Sequence, residues 1–149
     1  MFVVHCETTS GVLNPVAEIG KIVKTYGRRL LIDSMSAFGA LPIDAREVKF
    51  DALASSSNKC LEGVPGFGFI VCDLQAIEKA KGNAHSLALD LYDQWKALET
   101  TGQYRFTPPI HAIVALHQAI TEFVAEGGVA GRGGRYRDCS DSRAVRARG

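Results

Sequence analysis

The sequence predicts an α/β layered domain, a mostly parallel sheet flanked by helices. Three observations carry this expectation. Short apolar, β-favouring runs at residues 2–6, 29–33 and 68–72 alternate with stripes at helical spacing. The first two runs enclose a single helical segment, and such a strand–helix–strand unit defaults to a parallel crossover. The length, 149 residues of which 46% are hydrophobic, suits about one domain with a sizeable core.

Phe2-Val3-Val4-His5-Cys6 reads as the first strand. A polar turn follows through Glu7-Thr8-Thr9-Ser10-Gly11. Asn14-Pro15 is a helix start, with Asn as the cap and Pro in the first helical position. Val16, Ile19, Ile22, Val23 and Tyr26 then recur at helical spacing, and Gly27 sits where a left-handed C-cap glycine belongs. Residues 29–33 form the second strand, apolar until Asp33. Residues 48–54 read as a strand entering Ser55-Ser56-Ser57, and residues 68–72 as another. Residues 74–81 and 86–100 read as helices. Thr107-Pro108 repeats the cap-then-proline start of a long amphipathic helix closed by Gly127-Gly128.

Charge divides the chain at about residue 130. Residues 1–130 carry 11 Lys+Arg against 14 Asp+Glu, a net of −3, whereas residues 131–149 carry 6 Arg and 2 Asp, a net of +4. The Arg/Gly-rich tail has almost no apolar periodicity, which predicts disorder. The abrupt shift also fits a change of reading frame. The overall charge of +1 argues against a dedicated nucleic-acid binder. No stretch approaches the ~18–20 apolar residues of a membrane span, and the N-terminus lacks the pattern of a secretory signal. Cys6, Cys60, Cys72 and Cys139 form no CxxC pair and have no His at metal spacing, which predicts reduced thiols in a cytoplasmic protein and no metal site. His111 and His117, six apart on one helix, do not share a face.

Two positions carry chemistry. Asp33 ends an apolar strand, at the edge where α/β proteins place ligands. A partly desolvated carboxylate there calls for a cationic partner. Lys59 follows Ser55-Ser56-Ser57-Asn58 and precedes a Gly-rich loop through Gly63-Val64-Pro65-Gly66-Phe67-Gly68. Hydroxyls, an amide and glycine backbone suit a phosphate. A lysine in a partly apolar site readily yields the neutral amine that condenses with carbonyls.

The strings His5-Cys6-Glu7-Thr8-Thr9-Ser10-Gly11, Asp33-Ser34-Met35-Ser36-Ala37-Phe38-Gly39 and Asn58-Lys59-Cys60 through Phe69 together resemble the class V aminotransferases, which use pyridoxal 5′-phosphate. Their order and separations, 25 residues from Thr8 to Asp33 and 26 from Asp33 to Lys59, make the resemblance specific. It runs over about residues 1–130. It implies part of the large, cofactor-binding domain of a fold-type I pyridoxal-phosphate enzyme. It implies Lys59 as the Schiff-base lysine and proton shuttle, and Asp33 as partner of the pyridinium nitrogen, keeping the ring an electron sink. Thr8 would lie near the phenolic oxygen and Asn58 near the phosphate. Thr107, with the aromatic Tyr104, would reach the phosphate of a neighbouring subunit's cofactor in a homodimer, although a plain N-cap before Pro108 is the competing role for Thr107.

The resemblance also implies small-molecule amine and keto-acid substrates. The strings are nearest to those of the phosphonate-degrading branch, which implies transfer from 2-aminoethylphosphonate to pyruvate. An alanine–glyoxylate or serine–pyruvate type of substrate pair is the alternative. Family members are more than twice this length, so the chain reads as a central piece without the N-terminal pocket and the C-terminal small domain. A catalytically inactive remnant is the non-enzyme reading.

Overall fold

The first two apolar runs pair in parallel in the computed structural model, which describes residues 1–146 and side-chain surroundings as far as residue 140. Strand β1 (Phe2–Val4) and strand β2 (Leu31–Asp33) are joined by helix α1 (Val16–Thr25). Strand β3 (Ala52–Ser56) adds to β2 in parallel, and β4 (Gly68–Cys72) closes the order β1-β2-β3-β4 as an antiparallel neighbour of β3. Helices α2 (Leu74–Glu78), α3 (Leu91–Thr101), α4 (Ile110–Ala125) and α5 (Gly128–Arg146) follow.

Register and alternation decide which face is buried. Val3, Ile32 and Leu53 are aligned across three strands. Ile32 and Leu53 are each 1% exposed and pack with Val16 and Val23 of α1 and with Leu30 and Val48. The opposite face carries Phe2, Leu31 and Ile70, all exposed. The sheet therefore has one core face and one open apolar face.

Several local expectations shift. Asn14 does not cap α1. Its Nδ2 donates to the Val4 carbonyl at 2.8 Å, tying the loop back to β1, so the helix begins at Val16 after Pro15 with no side-chain cap. Gly27 does occupy the left-handed region, at φ 60°, and ends α1 as expected. Val48 is a core residue in a turn, because its N–H bonds to Asp44 rather than to a strand neighbour, and β3 starts only at Ala52. Helix α3 starts at Leu91, where Asp90 accepts from the Asp93 N–H at 3.0 Å, and not at residue 86. The Thr107-Pro108 start is also displaced. Helix α4 begins at Ile110 after Pro109, with no side-chain cap, so Thr107 is not an N-cap.

The largest difference lies at the end of the chain. Residues 128–146 are helical, against the disorder that composition predicts. Composition treats arginines as solvated charges. Here Arg132 is 2% exposed and held by carboxylates and a carbonyl, so folding satisfies it. Among the described residues no helix is long and apolar enough to cross a membrane.

Candidate functional site

The C-terminal ends of β1, β2 and β3 lie side by side, so the turns that leave them share one edge of the sheet. That is where open parallel sheets bind ligands. The β1 turn carries His5 and Thr8, the β2 turn Asp33 to Ser36, and the β3 turn Ser57 to Glu62. Backbone bonds pin the edge: the His5 N–H donates to the Asp33 carbonyl at 2.7 Å and the Ser34 N–H to the Ala54 carbonyl at 2.9 Å.

Ser36 joins the three turns. Its hydroxyl lies 2.5 Å from the Thr8 hydroxyl, and its carbonyl accepts from the Cys60 thiol at 3.5 Å. Thr8, Asp33 and Lys59 are far apart in sequence and are brought to one edge by these contacts. Asp33 is half-buried, and its Oδ1 accepts the Met35 N–H at 2.9 Å. Asn58 and Lys59 are exposed in the turn, and the Lys59 carbonyl accepts the Glu62 N–H at 2.8 Å.

Two groups on this edge are underused. Asp33 makes no ion pair among the described residues. The Ser56 hydroxyl is buried without a hydrogen-bond partner. Asp33 aligns with Ala54, and strand alternation puts Ser56 on the same face as both. A ligand that offers a cation to Asp33 and acceptor oxygens to Ser56 and Asn58, with a carbonyl carbon for Lys59, fits this donor set. Pyridoxal 5′-phosphate has all of these features.

Tyr104 and Thr107 border the edge through a neighbouring cleft, whose walls include Met35 of the β2 turn. They line this open cleft of about 620 Å³ with Ser55, Phe69, Leu91 and Leu98, and its walls include none of Thr8, Asp33, Asn58 or Lys59. The walls are mainly apolar, and half-exposed Tyr104 and Phe106 contribute to them.

Several residues to which sequence reading gave no site role support the edge. His5 is 4% exposed, and its Nδ1 lies 3.1 Å from the fully buried Ser34 hydroxyl. Burial lowers the His5 pKa, which favours the neutral ring. Burial likewise pushes the Cys60 thiol up, away from the reactive thiolate. Glu62 is the one non-glycine residue with left-handed φ, at 59°, among those described. It accepts from Arg135 at 2.8 Å and from the Tyr136 hydroxyl at 2.9 Å, and Arg132 lies 3.4 Å away. Burial raises its carboxyl, but the bonds from Arg135 and Tyr136 and the Arg132 charge outweigh that and hold it below the usual range. Glu126 is held low by its bonds from Arg135 and Arg132. The Tyr136 phenol, buried and donating to Glu62, is pushed up to about 12. The only sequence signal for this group was a cluster of arginines.

The family model for the class-V aminotransferases matches residues 1–133. The 2-aminoethylphosphonate–pyruvate transaminase of Pseudomonas putida strain W619 is 56% identical over 135 residues, 91% of this chain and 37% of that protein. A second such transaminase, from Paraburkholderia xenovorans strain LB400, is 56% identical over 138 residues. The chain thus spans little more than a third of the curated relatives it matches. Among solved structures, the alanine–glyoxylate aminotransferase of Nostoc sp. superposes with a TM-score of 0.80 at 26% identity, over 95% of this chain and 38% of that one. The pyridoxamine–pyruvate aminotransferase of Mesorhizobium loti also reaches 0.80, at 28% identity, over 90% of this chain and 35% of that one.

Proposed function

The chain belongs to the class-V aminotransferases, and from that membership we propose that it is the central part of an enzyme transferring the amino group of 2-aminoethylphosphonate to pyruvate. The products are phosphonoacetaldehyde and L-alanine, and the cofactor is pyridoxal 5′-phosphate. The observation that carries the chemistry is the shared edge: the turns bearing the half-buried Asp33, which makes no ion pair among the described residues, and the exposed Lys59 leave neighbouring strands, and Ser36 bonds to Thr8 and Cys60 across it. The 56% identity to transaminases named for these substrates supports the substrate pair. The structural likeness to an alanine–glyoxylate aminotransferase, at 26% identity, supports the second reading less strongly.

When bound, the cofactor supplies an electron sink for the carbanion formed at the substrate carbon. Lys59 would hold the cofactor through its amine and would carry a proton at the substrate carbon; an amine suits both roles. Asp33 would keep a proton on the ring nitrogen by stabilising the cationic form. Thr8 would donate to the phenolic oxygen, while Asn58 and Ser56 would supply donors to the phosphate. Tyr104 and Thr107 would reach the phosphate of a neighbouring subunit's cofactor in a homodimer, as the family resemblance implies. The four free thiols fit a reducing cytoplasm.

The test is pyridoxal phosphate added to the purified chain, followed by absorbance, borohydride reduction and peptide mapping. The expected result is a visible band and a label on Lys59, lost in Lys59→Ala. Addition of 2-aminoethylphosphonate should then bleach the band. Labels scattered over surface lysines would identify an inactive remnant, and bleaching by alanine alone would favour the alanine–glyoxylate type.

A further inference from the structure

Helix α5 touches both turns that carry the proposed chemistry. At the β3 turn, Arg132 donates from Nη1 to the carbonyl of Cys60, the residue after Lys59, at 2.5 Å. Its Nε donates to Glu126 at 2.5 Å, and Arg135 joins Glu126 to Glu62 with bonds of 2.6 and 2.8 Å. At the β2 turn, a Cβ on Gly133 would overlap the Ala40 carbonyl oxygen, so the helix lies directly on the segment that follows Asp33. Between the two contacts, Leu61 packs against Gly39 and is 5% exposed.

The chemistry of the clamp is specific. Arg132 is 2% exposed, so its buried N–H donors depend on their carbonyl and carboxylate partners. Its planar fork addresses the carbonyl and the carboxylate from two nitrogens in a fixed geometry, which the single nitrogen of lysine does not reproduce. On the far side, Glu62 is held in a left-handed backbone conformation that a non-glycine residue adopts only under constraint. The Lys59 carbonyl and the Glu62 N–H close the same turn at 2.8 Å. The Lys59 side chain itself is exposed, so its position follows from the turn that carries it.

We propose that α5 is a brace for the β3 turn, and that Arg132 is a positioning residue for Lys59, acting through the Cys60 carbonyl and the Glu62–Arg135–Glu126 network. The role for Lys59 rests on the reading given under Proposed function; the brace itself is a property of the turn.

The test compares the full chain with Arg132→Lys, Arg132→Met and the milder Glu62→Gln. One arm reads amide hydrogen exchange without cofactor. The other reads the pH profile and rate of pyridoxal phosphate condensing with Lys59, followed by absorbance. Exchange at the Glu62 and Gly63 amides should rise about tenfold in Arg132→Met, with Leu53 in β3 unchanged. The rate of condensation at Lys59 should fall by a similar factor, and Arg132→Lys should rescue only part of both. Unchanged exchange at Glu62 and Gly63 would overturn the brace, and so would equal acceleration at Leu53, the mark of a merely structural role. If the unsubstituted chain takes no label on Lys59, the functional reading fails instead, and the exchange arm alone decides the brace.

Discussion

Leu31 and Ile32 are adjacent in β2, have the same number of carbons and sit in opposite surroundings. Ile32 is 1% exposed between Val3 and Leu53, whereas Leu31 is 44% exposed on the other face. Ile32→Ala removes wholly buried carbons and leaves a cavity behind α1, a cost of about 2–5 kcal/mol. Leu31→Ala removes carbons that already meet water and leaves no closed void, so transfer alone sets its cost at about 1 kcal/mol. With a urea dependence of about 1–3 kcal/mol per molar, Ile32→Ala should lower the unfolding midpoint by roughly 1–2 M and Leu31→Ala by roughly a quarter of that. Urea titration followed by Trp95 fluorescence and far-ultraviolet dichroism measures the difference. Equal midpoint shifts would refute the argument, because Leu31 would then be buried as deeply as Ile32, against a second copy or another layer.

Two further outcomes follow from the contacts. Glu62 and Glu126 have folded pKa values below the ordinary 4.5, so the stability they add is complete above pH 4.5 and is lost as pH falls through the lowered values. The stability gap between the unsubstituted chain and Glu62→Gln should therefore close in acid, and a gap that persists unchanged well below pH 4.5 would contradict the network. Asp90→Ala removes the oxygen that caps α3 and should cost about 1 kcal/mol; unaltered amide exchange at Asp93 would show that the cap contributes nothing.

The candidate site was legible where chemistry was local. Asp33 and Lys59 stood out as a carboxylate at a strand end and an amine after a hydroxyl run, and the structure places both on one edge. Ser36 did not stand out, because a serine in a turn looks like any other until the turns of β1 and β3 fold against it. Thr107 and Tyr104 were named through a resemblance, and they line a cleft whose walls do not include Lys59. Arg132 was hidden by its neighbours, since a Gly/Arg string has no apolar period to show which arginine is buried.

What the sequence by itself determined is the set of elements from β1 to α4 and their order. Apolar runs such as Phe2-Val3-Val4 and stripes such as Val16, Ile19 and Val23 carry their own period, so local sterics and burial select strand or helix. The parallel pairing of β1 with β2 followed from the single helix between them. Only the tertiary structure decided the rest. It set β4 antiparallel to β3. It used Asn14 to hold β1 instead of capping α1. It also turned residues 128–146 into a helix on the lysine turn. For β4 and α5 the deciding partner is remote in the chain: Val71 for Leu53 and Cys60 for Arg132. Such contacts form only after the chain has closed on itself, and no window of local sequence contains both sides.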